Sequence, residues 1–300
     1  MRFFALVLFV STYVSAQVRF PQPTVVEING QPFAEFHKGE DVGKPYLAPL
    51  RSASGKIVTR RYPMESVPGE SRDHLHHTGQ WFSYDDVNGV KFWENHPTYT
   101  KGRIGREVVR DIKVKQGDGK MAAEIDWNDP DGKTLLHETR EMRFSGDSKL
   151  RTIDFQITLT AAQDVVFGDT KEGAFAIRMN DAFTEKRGCK LTNADGLATM
   201  KNVWGKRSNW VDYIADLDGE KLGIAMFDHP DNPRHPTYWH ARDYGLFALN
   251  PFGQHAFDET QSESQWKLPK GQALTFRWRV TIHPADADVA AIYKDFASRK

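Results

Sequence analysis

The chain has 300 residues, with 40 Lys+Arg against 40 Asp+Glu, so its formal charge is zero. That balance provides no general field for nucleic acid or an anionic membrane surface. Hydrophobic residues at 39 % and charged residues at 27 % exclude a disordered chain, and the single cysteine, Cys189, excludes an internal disulfide.

The first sixteen residues place Arg2 before the apolar run Phe3-Phe4-Ala5-Leu6-Val7-Leu8-Phe9-Val10 and end on the small pair Ser15-Ala16. This is the pattern of a secretory signal cleaved after Ala16. The run is too short for a transmembrane helix of ~20 residues. The expected location is secreted or periplasmic, with a signal at 1–16 and one domain over 17–300. No later stretch approaches the length of a membrane span.

Turn signals then punctuate the chain: Asn29-Gly30, Asn88-Gly89, Gly117-Asp118-Gly119, Asp131-Gly132, Asp195-Gly196 and Asp218-Gly219. Asn88-Gly89 reads as a type I′ hairpin turn. Residues 104–115, 121–127 and 134–144 predict a meander. The runs 150–159 and 275–282 alternate apolar and polar residues, the mark of strands with one face buried. Residues 170–178 predict another strand, with Glu172 at its mouth. Helix is scarce. The best case is 286–298, where Val289, Ile292, Tyr293 and Phe296 recur at helical spacing. The expected fold class is all-β: a large antiparallel β-sandwich, supersandwich-like, with a short C-terminal helix.

Three blocks carry chemistry-bearing residues. Asp73-His74-Leu75-His76-His77-Thr78-Gly79-Gln80-Trp81-Phe82 holds three of the eleven histidines in four positions. On a strand, His74 and His76 would share one face, with Asp73 and His77 on the other. Such imidazoles suit proton transfer, substrate binding or metal ligation, and Asp73 suits fixing a neighbour's tautomer. Lys171-Glu172-Gly173 offers a carboxylate as a general base, with Arg178 at the far end of the same strand. Trp239-His240-Ala241-Arg242-Asp243-Tyr244-Gly245 follows the extended Pro-rich loop 229–236 and runs on to Asn250-Pro251-Phe252-Gly253. It sets a guanidinium beside an imidazole and two stacking rings. Asn88 is a further contact candidate because it lies close to the histidine block in sequence. Cys189 is read as structural.

In this order, Asp-His-x-His-His-x-Gly-x-Trp-Phe, Val-Asn-Gly-x-x-Phe-Trp, Lys-Glu-Gly, Trp-His-x-Arg-x-Tyr-Gly and Asn-Pro-Phe-Gly resemble the secreted "methane oxygenase PmoA"-like family, a domain of unknown function. The resemblance runs from His74 to the C-terminus. In layout the chain is also similar to sandwiches of the galactose mutarotase type. That similarity implies a face of His, Arg, Glu and aromatic residues on which Glu serves as base and His as acid toward a sugar.

The expected function is therefore an exported carbohydrate-active protein, an enzyme acting on a sugar or glycoside by His/Glu acid–base chemistry. Its catalytic candidates are His74, His76, His77, Glu172 and His240. Its binding candidates are Trp81, Asn88, Arg178, Trp239, Arg242, Tyr244 and Asn250. No cofactor is expected. The alternative is a metal-dependent hydrolase or oxygenase with one Zn, Cu or Fe ion on His74, His76 and His240. A non-catalytic sugar-binding module is the third reading. The expected partner is a small molecule or oligosaccharide, with no nucleic acid and no membrane after signal cleavage.

Overall fold

The computed structural model describes residues 17–299, so the leader expected at 1–16 lies outside the described residues. Two eight-stranded antiparallel sheets dominate. The first runs Val18–Gln22, Val25–Ile28, Gln31–His37, Tyr46–Leu47, Gln80–Tyr84, Gly173–Arg178, Leu246–Asn250, Tyr238–Ala241. The second runs Lys190–Asn193, Trp210–Leu217, Glu220–Asp228, Ala273–Pro284, Arg151–Ala161, Thr134–Gly146, Lys120–Asn128, Arg106–Lys115. The all-β expectation holds, and the predicted meander forms one edge of the second sheet.

Period-two alternation explains the packing. In the second sheet Phe155 pairs with Trp278, Ile157 with Phe276 and Leu159 with Leu274. All six are buried, while Thr158 and Thr275 join their hydroxyls on the opposite face at 2.9 Å. The inward residues meet those of the first sheet: Phe82 lies 5.6 Å from Trp278, Phe155 4.8 Å from Phe175, and Tyr213 4.7 Å from Phe247, between ring centroids. Aromatic pairs at these separations add to the area they bury. The result is a sandwich with a continuous apolar core.

The C-terminal helix spans Val289–Ala297 and starts where Asp288 accepts a hydrogen bond from the Ala291 amide (2.9 Å). Its Val289 and Phe296 pack with Ala225 and Phe227 on the outer face of the second sheet. A hollow of about 200 Å³ lies there, lined by Lys120, Asp154, His229, Arg277 and Arg299 among others. Part of its charge is paired within the protein: Asp154 accepts from Arg279 (2.5 Å) and Arg299 (3.1 Å), and Arg299 also reaches Asp295 (2.6 Å). These contacts latch the helix to the sheet. No helix among the described residues is long and apolar enough to cross a membrane.

Asn88 and Gly89 have φ of 54° and 74°, as a type I′ turn requires. Cys189 is buried, and burial pushes its thiol up to about 12, so it is an inert core residue.

Candidate functional site

The three central strands of the first sheet are buried on both faces. Phe82, Phe175, Leu249 and Trp239 form one row across them, facing the inter-sheet core. The adjacent row is Trp81, Ala176, Ala248 and His240, facing the other way. This outer face is floored by alanines and bears the titratable side chains His240 and Arg178. Arg178 belongs to it by the same parity, opposite Leu246.

The histidine block does not form the expected strand. Residues 74–77 make a turn in which the His77 amide donates to the His74 carbonyl (3.0 Å), and the strand begins only at Gln80. His74 has φ +45°, a costly conformation for a residue with a Cβ. The buried guanidinium of Arg60 holds it there. Arg60 Nη1 donates to the Asp73 carbonyl (2.9 Å) and to Asp73 Oδ1 (2.5 Å), Nη2 to the His74 (3.0 Å) and His77 (3.2 Å) carbonyls, and Nε to the Tyr62 carbonyl (3.1 Å). The turn gathers all three imidazoles instead of splitting them between two faces. Ring centroids of His74 and His77 lie 4.7 Å apart and nearly parallel, those of His76 and His77 4.3 Å apart and steeply crossed.

Gly79 lets this turn enter the sheet. Its φ is +51°, and a Cβ there would lie 2.2 Å from the Leu47 carbonyl oxygen and 2.7 Å from Ala48 Cβ. Gly79→Ala is expected to cost about 2–4 kcal/mol, from backbone strain and overpacking together. Chemical denaturation checks this, and a change below about 1 kcal/mol would refute the account of the turn.

The histidine and Trp239–Gly245 blocks, far apart in sequence, meet through Tyr244. Its ring stacks on His74 at 4.8 Å with 10° between planes. Arg178 and Arg242 place their guanidinium carbons 4.8 and 5.5 Å from the same ring. Beneath, His77 stacks on Trp81 (5.3 Å), and Trp81 leans on Trp93 (5.0 Å). The layers from surface to sheet are thus His74, His77 and Trp81, with Tyr244 beside them.

Asp73 ties the cluster together. Its Oδ1 accepts from Arg60 (2.5 Å) and Arg178 (2.6 Å) and lies 3.3 Å from His74 Nδ1. Burial alone would raise its pKa, but Arg178 and Arg60 outweigh that and hold the carboxyl below its ordinary range. Arg178 is itself lowered to about 10 by burial and by the charge of Arg60. Of the three imidazoles only His74 is exposed, at 38 % of its side chain. His76 is pushed down to about 2 by burial and then by Lys44, and His77 falls well below its usual value, first through burial. Burial thus favours the neutral form of both. His76 Nδ1 is hydrogen-bonded to the Tyr99 hydroxyl (3.0 Å), while His77 Nε2 is buried without a partner. An open groove of about 480 Å³ runs beside the cluster, lined by His74, His76, Glu94, Tyr99 and Lys101 among others.

Behind the tryptophans lies buried Lys44, which donates to the Trp93 carbonyl (2.7 Å) and Asn95 Oδ1 (2.8 Å). Burial lowers it to about 8 and raises neighbouring Asp85 to about 7, although Asp85 accepts from the Trp93 and Glu94 amides. These bonds fix the segment that delivers Tyr99 to His76.

The remaining candidates divide. Glu172 is three-quarters buried and ion-paired with Lys171, and its charge reaches Tyr244. His240 sits on the outer face with Nδ1 on the Lys171 carbonyl (3.0 Å), which places its proton on Nδ1. Burial, then the charges of Arg242 and Lys171, push it down to about 3. His240 packs against Phe257 and does not join His74 and His76. Among the described residues no group of three or more His, Cys, Asp or Glu is placed to hold a metal ion.

Four expected contacts take other places. Trp239 faces the core, fully buried, with Nε1 donated to the Ser208 carbonyl (2.8 Å), so it presents no stacking surface. Trp81 is also fully buried and supports His77 rather than a ligand. Asn88 ties its turn to the Asp164 carbonyl (3.0 Å) and the Val166 amide (2.8 Å). Asn250 donates to the Thr170 carbonyl and accepts from the Phe252 and Gly253 amides, each at 2.9 Å. The residues missed are Arg60, Trp93, Tyr99 and Lys44; of these only Trp93 falls in a sequence block, the Val-Asn-Gly-x-x-Phe-Trp run that ends on it.

Comparison with known proteins adds the following. An α-galactosidase from Geobacillus stearothermophilus, solved with raffinose, aligns with a TM-score of 0.41 at 8 % identity over 88 % of this chain and 40 % of its own. A polysaccharide lyase aligns with a TM-score of 0.44 at 13 % identity, over 87 % and 34 %. This chain therefore spans well under half the length of either. A galactose mutarotase related enzyme from Lactobacillus acidophilus gives a TM-score of 0.41 at 8 % identity, over 89 % and 97 %. No curated protein matches by sequence. One family model does match, over residues 23–297, and the chain accordingly belongs to DUF6807, a family of unknown function.

Proposed function

We propose that the protein is an exported carbohydrate-active enzyme that works on a sugar by acid–base chemistry, with His74 as the proton-transferring group. The observation that supports this most is the setting of His74. It is the exposed imidazole of the cluster, seated between the Asp73 carboxylate and the Tyr244 ring, on a strained backbone held by Arg60. An imidazole oriented by a carboxylate is suited to accept and return a proton. Asp73 fixes the ring through Nδ1, so Nε2 is the exchanging nitrogen.

Glu172 is the second group; its charge, like that of Asp73, acts on Tyr244. Tyr244, half-buried, takes the place of Trp239 and Trp81 as the aromatic contact; its ring already packs with His74, Arg178 and Arg242, so a sugar would meet its edge rather than stack on its face. His76 and His77, neutral and buried, position His74 and do not exchange protons. The ordered sequence blocks that resemble the PmoA-like family hold the turn, the Lys171-Glu172 corner and the Tyr244 block, so this reading assigns them to one site.

The test is incubation of the folded protein with a panel of mono- and oligosaccharides, followed by proton NMR for cleaved, epimerised or anomerically exchanged products. Turnover that survives chelation is expected. Activity lost on chelation and restored by one metal would transfer the site to the metal-dependent reading. Saturable binding with no product after long incubation would make it a binding module.

A further inference from the structure

The site holds more positive charge than its own carboxylates match. Arg60 and Arg178 share a single oxygen of Asp73. Lys171 and Glu172 pair with each other. Arg242 stands apart: its Nε is buried without a hydrogen-bond partner, and it enters no ion pair among the described residues. Arg178 Nε is likewise buried and unpartnered. The whole chain carries 40 basic and 40 acidic side chains, so this surplus is local.

The surplus is also aimed. Arg242 lies half-buried over the Tyr244 ring at 5.5 Å, beside His240 and on the face that carries His74 and Arg178. The guanidinium lies over the ring, and its buried Nε makes no hydrogen bond. A half-buried, unpartnered guanidinium is costly to keep and is relieved by an anion that accepts from its fork.

We propose that the substrate of this site is an acidic saccharide, whose carboxylate or sulfate ester is bound by Arg242. The proposal rests on the reading of the site as saccharide-binding and adds the charge of the ligand. A neutral sugar leaves the Arg242 N–H groups without a charged acceptor, and this loss sets the discrimination.

Titration calorimetry on the full mature chain tests it. The probes are glucuronate and galacturonate, glucose 6-sulfate, their neutral counterparts glucose and galactose, and the non-sugar carboxylate glycolate. Wild type is compared with Arg242→Gln and Arg242→Lys. The acidic sugars are expected to bind about tenfold to a hundredfold more tightly than the neutral ones. Arg242→Gln should erase that difference while keeping the wild-type Tm, because Arg242 supports no protein ion pair. Arg242→Lys should restore part of it. The uronates against the sulfate ester separate the two anion chemistries. Equal binding of neutral and acidic sugars, unchanged in Arg242→Gln, would overturn the proposal and leave the saccharide reading standing. Glycolate binding as tightly as the uronates, and lost in Arg242→Gln, would keep the anion site and overturn the saccharide reading. No binding by any probe would overturn both.

Discussion

Replacing Arg60 by methionine is expected to lower stability by about 3–5 kcal/mol and Tm by on the order of 10 °C. The guanidinium is fully buried and makes five hydrogen bonds, four of them to carbonyls between Tyr62 and His77. Methionine fills the space but leaves those acceptors without a donor and Asp73 with one cation fewer. Lysine keeps the charge yet cannot span the set, so Arg60→Lys should lose most of the same stability. The adjacent Arg61 is the control. It is paired with exposed Glu65 at 3.4 Å, so Arg61→Lys should change stability by less than about 1 kcal/mol. Denaturant unfolding of the variants checks both. Equal effects at 60 and 61 would show that the histidine turn does not depend on the buried guanidinium.

The second large effect is acid unfolding driven by buried neutral histidines. In the unfolded chain His76, His77 and His240 take up protons near pH 6.5, but in the folded chain His76 does so only at about 2 and His240 at about 3. His77 is lowered in the same direction. Between those values the unfolded state binds more protons. The stability these residues provide is therefore complete above pH 6.5 and is lost as pH falls. Each contributes a slope of up to about 1.4 kcal/mol per pH unit, so the three together should lower stability as pH falls below about 6.5. Asp85, raised to about 7 by burial, opposes this by binding a proton in the folded state, and His283 also has the opposite sign. Burial would lower it, but the hydrogen bond and charge of Asp212 raise it. Its contribution is complete below the unfolded value and fades as pH rises through the folded one. Tm measured from pH 7.5 to 4 should fall steeply on the acid side, and less steeply in His240→Gln. A flat profile between pH 7 and 5 would contradict the buried neutral assignment.

How much of this was legible in sequence depends on the range over which each feature is set. The alternation in 150–159 and 275–282 is local, and those strands pair in register, Phe155 opposite Trp278. Asn88-Gly89 needs only its own backbone to be read as a turn. Alternation predicts a strand through the histidine block, where Arg60, 14 residues before His74, imposes a turn. Arg60 itself sits in an Arg-Arg pair that reads as surface, and only one of the two is buried. Trp239 and His240 are neighbours of opposite fate. Which of them faces the core follows from pairing with Leu249 and Ala248, a register that no local pattern encodes. The junction of His74 with Tyr244 is likewise a property of strand order, in which Gln80–Tyr84, Gly173–Arg178 and Leu246–Asn250 lie side by side.

The most direct measurement is turnover and Tm of His74→Gln beside the wild type, on whichever saccharide the panel shows to be transformed. His74 is exposed and lies outside the apolar core, so its replacement should leave Tm within a few degrees. Loss of a general acid or base should lower kcat/KM by about 10²-fold or more. Wild-type turnover in His74→Gln, or a loss of activity matched by a loss of fold, would contradict the assignment of His74 as the reacting imidazole.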